Sequence, residues 1–291
     1  MKSRAPKIAA AALALAMLTT PLLTDLAPFF TLPVKASTSD ARPVRSGIYT
    51  FNRFRNSINK YKAINDDVTG WLIVPNTNMV MPIVYSDKGN TYYEHRDIYG
   101  VDYPNTTFQN FRNTATYLDA RTRWSEDGWI TSRNTVLYGH NWTNLGAAGK
   151  ATDKGINNSH IMFGQLKSYE HIDFAAENPH IYFSTLVQEG IWRVFSVAYV
   201  EVSPSFNYNS PNPTRNSYAW LLGELQQRSL FKFDVDVQPT DKILTLTTCT
   251  RRYGVGANQR FIVVARQLRP GESETDKVAV AVNENMKKPQ F

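Results

Sequence analysis

The sequence predicts a mainly β domain, built either as a closed barrel or as a sandwich. From residue 71 onward, short apolar runs rich in β-branched and aromatic residues are separated by Asn, Gly, Asp and Pro, which is typical of strands and turns. Roughly eight runs have this pattern: 71–74, 80–85, 115–118, 135–138, 181–186, 191–202, 243–248 and 261–268. The composition agrees, because 42% hydrophobic and 20% charged residues over 291 positions allow a sizeable core and exclude a disordered chain or a polytopic membrane protein.

Three helices are predicted around these strands. The first precedes them, where apolar residues recur at the i, i+4, i+7 spacing of a helix face. These residues are Phe54, Ile58 and Tyr61. A short helix is predicted over 162–169 and a longer one over 216–228, the latter capped by Asn216 or Ser217. The polar tail has one apolar patch, 278–282, so we place the tail on the surface or as a last strand.

Residues 1–36 have the features of an export segment. A positively charged start precedes the apolar residues 8–18, and Val34-Lys35-Ala36 fits a small-x-small cleavage site. Two interpretations remain open: a signal peptide that is removed, or a membrane anchor over 8–34, against which Asp25 and three prolines count. In both cases the positively charged start stays in the cytoplasm, so the rest of the chain lies outside it.

The chain therefore divides into the export segment, a polar linker over 37–47 and a folded domain over 48–291. The net charge is +7, but the basic residues are scattered and form no helix stripe, so we expect no nucleic-acid partner. A basic surface suits an anionic wall or membrane. We also predict no cofactor and no metal site, since one cysteine can form neither an intrachain disulfide nor a zinc cluster.

The one cysteine, Cys249, ends a predicted strand. With the strand period of two, Thr245, Thr247 and Cys249 share one face, while leucines occupy the other. A polar face that ends in a cysteine suits a groove that hydrogen-bonds a peptide. Taken alone, however, an isolated cysteine in an exported protein is more often buried and inert than kept for chemistry.

A second strand begins at Arg260, after a ten-residue loop that contains two glycines. If this strand pairs antiparallel with the cysteine strand, Cys249 and Arg260 lie at the same end of the sheet. A nucleophilic cysteine also needs a base. His140 is the candidate because it follows a strand and a glycine that allows a sharp turn. Considered alone, His140 is more often a structural strand-end residue, and we interpret the other four histidines as surface residues.

Three motifs together resemble those of sortases. They are Thr245-Leu246-Thr247-Thr248-Cys249, similar to the TLxTC signature; Tyr138-Gly139-His140-Asn141, similar to the histidine motif; and Arg260 with Phe261-Ile262-Val263-Val264-Ala265, similar to the arginine strand. Over roughly residues 47–270 the chain is similar to class B sortases, as in Gly70-Trp71-Leu72-Ile73, Met81-Pro82-Ile83-Val84, Tyr92-Tyr93 and Met162-Phe163-Gly164-Gln165-Leu166. The resemblance implies a closed eight-stranded β-barrel, with an N-terminal helix and a helix inserted before the cysteine strand.

The resemblance also implies an activity: a cysteine transpeptidase that cuts a C-terminal sorting signal of the NPxT type and joins it to an amine. It implies Cys249 as the nucleophile, His140 as the acid and base, and Arg260 as the group that stabilises the oxyanion. The predicted peptide contacts, whose alternative role is barrel packing, are Tyr138, Thr245 and Thr247. Unlike many class B members, the chain has no carboxylate over 250–259, so we expect a Cys–His–Arg set without an acid.

Several alternatives stay open from the sequence. The substrates are surface proteins or pilins, and the acceptor is an amine of peptidoglycan or, in a pilin-polymerising sortase, a pilin lysine. An exported cysteine peptidase would use the same Cys–His pair but transfer the acyl group to water. In a non-catalytic wall-binding barrel, Cys249 would be merely buried.

Overall fold

The computed structural model of the chain describes residues 51–103, 114–141, 159–254 and 258–291. The predicted export segment and linker, 1–47, lie outside the described residues. Within the described ranges, no helix is long and apolar enough to cross a membrane. The predicted boundary of the folded domain at residue 48 falls just before the first described residue.

Ten strands form in the described residues. They are β1 (Val68–Ile73), β2 (Val80–Val84), β3 (Thr116–Leu118), β4 (Asn134–Tyr138), β5 (His180–Thr185), β6 (Ile191–Glu201), β7 (Phe231–Phe233), β8 (Ile243–Cys249), β9 (Gln259–Gln267) and β10 (Val280–Val282). Eight of them close into a barrel in the order β1-β2-β3-β4-β8-β9-β6-β5, while β7 pairs with β10. The eight barrel strands are the eight predicted runs, so the barrel is confirmed and the sandwich alternative is wrong. The tail patch is a last strand, as one of the two interpretations had it.

The interior of the barrel is filled by every second residue of its strands. On β8, Leu244 and Leu246 are fully buried in the main core, and Leu137 of β4 lies opposite Leu246 in the same core. Thr245 and Thr247 therefore point to the outer face, as the period of two predicts. Because directly opposite residues of paired strands share a face, the outer surface of β4, β8 and β9 carries the candidate chemistry.

The helices lie where the sequence predicts them, with different ends. They are α1 (Phe51–Lys62), a 3₁₀ helix (Ser159–Glu170), α2 (Ile172–Glu177) and α3 (Arg215–Arg228). In α1, the predicted apolar face of Phe54, Ile58 and Tyr61 is buried. The helix predicted over 162–169 is part of the longer 3₁₀ helix, which inserts Phe163 into the main core. The short helix α2 is not predicted by the sequence.

The helix α3 begins one residue before its predicted start and has a different cap. Thr214 is the N-cap, in place of Asn216 or Ser217: its backbone is extended, and its side chain accepts a hydrogen bond from the backbone N–H of Ser217 at 3.3 Å. The apolar side of the helix, which includes Tyr218, packs on the outer face of the barrel against Ile262. The inserted segment thus covers part of the face that ends at Cys249.

Candidate active site

The end of β8 and the start of β9 bring Cys249 and Arg260 together. The two strands pair antiparallel, and Cys249 lies directly opposite Arg260 in the ladder. Side chains of such a pair point to the same side, with Cβ atoms about 4.5–5.5 Å apart. Both residues are partly buried, and Cys249 is a free thiol. The deduction that both lie at one end of the sheet is confirmed.

His140 reaches the same end because β4 runs parallel to β8. Three contacts hold the strand end in place. The hydroxyl of Thr248 donates to the carbonyl of Gly139 at 2.7 Å, the backbone N–H of Gly139 donates to Thr247 O at 3.3 Å, and Asn141 Nδ2 donates to Cys249 O at 3.0 Å. The residues on both sides of the imidazole are thus bonded to the residues around the cysteine.

The imidazole of His140 is held in one tautomer. Its Nε2 lies 2.6 Å from the carbonyl oxygen of Glu94, and a carbonyl only accepts hydrogen bonds, so Nε2 carries the hydrogen. In the neutral ring, Nδ1 is then the nitrogen that takes up a proton. Burial lowers the pKa of His140 below its usual range; the contacts with Glu94 oppose this change, and the charge of Arg260 adds to it. At neutral pH the imidazole is therefore mostly neutral and able to act as a base.

The carboxylate whose charge acts on His140 comes from an unexpected segment. The described part of the loop after Cys249 contains no acid, in line with its sequence. Instead, Glu94 lies before β3, and its charge raises the pKa of His140 against the effect of burial. The sequence offered no signal for this residue, because the segment has no strand or helix periodicity.

Tyr138 lies on the outer face of β4, where the sequence predicts a peptide contact. It is partly buried, its hydroxyl donates to Asp119 Oδ2 at 2.7 Å and it accepts from Asn209 Nδ2 at 2.9 Å. Arg121 in turn binds both carboxylate oxygens of Asp119. Tyr138 is therefore fixed in orientation, and its predicted contact with a peptide stays a prediction.

The two predicted threonine contacts are buried. The hydroxyl of Thr247 pairs with Tyr208 OH at 3.1 Å, and the hydroxyl of Thr245 donates to Asn134 Oδ1 at 2.7 Å. Asn134 Nδ2 also donates to the carbonyl of Tyr208 at 2.9 Å. In this conformation both hydroxyls link the barrel to the inserted segment, which is the packing role that the sequence left open.

A further aromatic residue, Tyr117 of β3, extends the outer face of the site. It lies opposite Tyr138, with their rings stacked at 5.3 Å between centroids. Burial raises the pKa of its hydroxyl, and Glu94 and Cys249 raise it further. The sequence analysis missed Tyr117, since only the register of a three-residue strand identifies it.

We expect Gly139→Ala to destabilise the fold and to impair His140. A Cβ at this position would clash with the ring of Phe163, a buried core residue that cannot move without disturbing its neighbours. Overpacking of this kind costs about 1–3 kcal/mol of unfolding free energy. Denaturant unfolding measures the loss, and the same samples give the catalytic rate.

The matched control is Gly223→Ala in α3, where a Cβ would meet no heavy atom within 4 Å. A helical alanine at an open position is expected to raise stability by about 0.5–1 kcal/mol. Equal stability changes in the two variants would contradict the proposed clash at residue 139.

Comparison with known proteins agrees with this arrangement. The family model described as the Sortase domain matches residues 72–268. Sortase B of Listeria monocytogenes is 27% identical over 202 residues, covering 67% of this chain and 68% of the relative, and Sortase B of Staphylococcus aureus is 25% identical over 221 residues, covering 74% and 76%. The solved structure of Clostridium perfringens Sortase B is 25% identical, has a TM-score of 0.56, and is matched over 72% of this chain and 99% of that chain.

A closed barrel with a cysteine strand beside an arginine strand, matched by that family over most of its length, defines the class of protein. The chain belongs to the sortase family of cysteine transpeptidases. Within that family it is a class B sortase, because the relatives and solved structures that it matches are sortase B proteins. Within the described residues, no group of three His, Cys, Asp or Glu side chains could hold a metal ion.

Proposed function

We propose that Cys249 attacks a sorting-signal peptide and that the resulting thioacyl group passes to an amine. The observation that supports this is the direct pairing of Cys249 with Arg260, next to the strand end that carries His140. A thiolate needs a base, and a developing oxyanion needs a fixed donor. These two requirements are met at one end of the barrel.

The proposed steps balance in protons. The thiol of Cys249 gives its proton to neutral His140, and the thiolate attacks the scissile carbonyl. The guanidinium of Arg260 donates hydrogen bonds to the oxyanion as the C–O bond lengthens. The imidazolium then protonates the leaving amine while the C–N bond breaks, which leaves a thioester on Cys249 and a neutral His140.

The substrate in this proposal is a C-terminal NPxT-type signal, cut after its threonine, and the acceptor is an amine of peptidoglycan. Support comes from two solved structures, a Staphylococcus aureus sortase B–substrate complex and a sortase B complexed with triglycine, which are each 23% identical to this chain. We place the reaction outside the cytoplasm, with residues 1–36 as the export segment or anchor.

Incubation of an NPxT-type peptide with a short amine tests the proposal. We expect mass spectrometry to detect the cleaved peptide joined to the amine, and a thioester-linked adduct on the protein. A product that incorporates only water would favour the peptidase alternative. Acceptance of a lysine side chain but not of a glycine amine would favour the pilin-polymerising alternative. Absence of any cleavage or adduct would contradict both.

A further inference from the structure

The carboxylate of Glu94 is an ionisable group beside the catalytic candidates that the proposed steps do not use. The backbone of Glu94 contacts His140 Nε2, so this residue lies against the imidazole. Its charge influences both His140 and Tyr117, and the hydroxyl of Tyr117 is also influenced by Cys249 and Arg260. The carboxylate, imidazole and sulfur therefore belong to one electrostatic neighbourhood.

This carboxylate is partly buried, and no hydrogen bond or ion pair within the described residues satisfies it. Other partly or fully buried carboxylates of the fold are paired: Asp119 binds Arg121, Glu224 binds Arg228, and Glu272 binds Arg266. Removing a carboxylate from water without a partner is unfavourable. Glu94 thus keeps its capacity to bind a cation at a position next to the proposed base.

The rest of this rim is positively charged. Arg260 stands opposite Cys249, and Arg251 and Arg252 are exposed on the following loop. A primary amine is mostly protonated at neutral pH. An acceptor therefore arrives as an ammonium ion, which these arginines repel. A carboxylate beside His140 offsets that repulsion at the place where the amine must lose its proton.

We propose that Glu94 binds the ammonium group of the amine acceptor beside His140. This inference rests on the proposed transpeptidation. The bound ammonium gives one proton to neutral His140, and the free amine attacks the thioester carbonyl. The C–N bond forms, the C–S bond breaks with its electron pair going to sulfur, and the second proton leaves nitrogen for the sulfur of Cys249. The step needs no reactant beyond the acyl enzyme and the amine.

The test compares two nucleophiles on Glu94→Gln, which removes the charge and keeps the shape. Triglycine amide is cationic, whereas hydroxylamine is mostly uncharged at neutral pH. We expect the KM for triglycine amide to rise roughly tenfold in the variant, the loss expected for one partly buried charge pair. The rates of thioester formation and of hydroxylamine transfer should stay within about twofold, since neither involves a cation bound at Glu94.

Glu126→Gln is the matched control, because Glu126 is exposed in a turn next to the β5–β6 connection, at the end of the barrel away from Cys249. It should change neither nucleophile. Equal slowing of both nucleophiles by Glu94→Gln would mean that Glu94 only supports His140, and no change with triglycine amide would mean that it binds no acceptor; either result overturns the proposal.

A measurement on the unmodified protein covers a variant that fails to fold. Salt screens a charge pair, so the KM for triglycine amide should rise with ionic strength while that for hydroxylamine stays constant. Equal salt dependence of the two overturns the proposal. Failure of the underlying function is distinguishable, because then no thioester adduct forms with either nucleophile and the inference about Glu94 falls with it.

Discussion

Replacing Cys249 with alanine is expected to abolish peptide cleavage, lowering the rate by about 10⁴-fold or more, to the background without enzyme. The nucleophile is then absent, and no other thiol can replace it because the chain has one cysteine. The hydrogen bond from Asn141 goes to the backbone carbonyl of residue 249, so the strand end should keep its conformation. Liquid chromatography of the peptide products measures the rate.

Two measurements separate loss of chemistry from loss of structure in this variant. Thermal unfolding should change by about 1 kcal/mol or less in stability, since only one partly buried sulfur is removed. A thiol reagent should modify one site in the unmodified protein and none in Cys249→Ala. Cleavage that survives in a folded Cys249→Ala protein would rule out the thioacyl mechanism.

Replacing Arg260 with alanine is expected to lower kcat by about 10²–10³-fold, equivalent to about 2.7–4 kcal/mol for the loss of one oxyanion donor. Arg260 stands opposite the sulfur, and its Nη1 donates to the carbonyl of Gln259 at 2.9 Å, which orients the planar group. Arg260→Lys keeps the charge but loses the fork, so we expect it to recover only part of the rate.

The split between kinetic constants checks this assignment. An oxyanion donor acts in the transition state, so kcat should fall much more than KM rises. Arg123→Ala is the control: Arg123 is exposed in the segment before β4, and its loss lowers the net charge by the same amount. A fall in KM-dependent binding alone, with kcat unchanged, would assign Arg260 to peptide binding instead.

The barrel and the cysteine end were predictable because strands of this length carry their burial pattern in the sequence. On β8, the alternation of leucine with threonine predicts the inner and outer faces, and the antiparallel pairing with β9 follows from loop length. The three-residue strand β7 and the six-residue helix α2 are too short to show a period. Their positions are determined by tertiary packing, as is the cap of α3.

The site was predictable only where a motif marks it. His140, Cys249 and Arg260 lie within motifs, whereas Glu94 lies in a segment positioned by long-range contacts, such as Asn65 Nδ2 donating to the hydroxyl of Tyr93 at 3.0 Å. Tyr93 also donates to a carboxylate oxygen of Asp67 at 2.6 Å. Such contacts join distant parts of the chain, so no local pattern reveals them.

The parallel pairing of β4 with β8 has a consequence for how the polypeptide acquires its reactivity. Strands joined in parallel and far apart along the chain incur a large loop-closure entropy before they gain contacts, so this region should assemble late and slowly. The thiol would then meet its partners only after nearly the whole sheet has closed. A newly exported, still unfolded polypeptide would carry the sulfur without the means to activate it, which separates maturation from reaction in time.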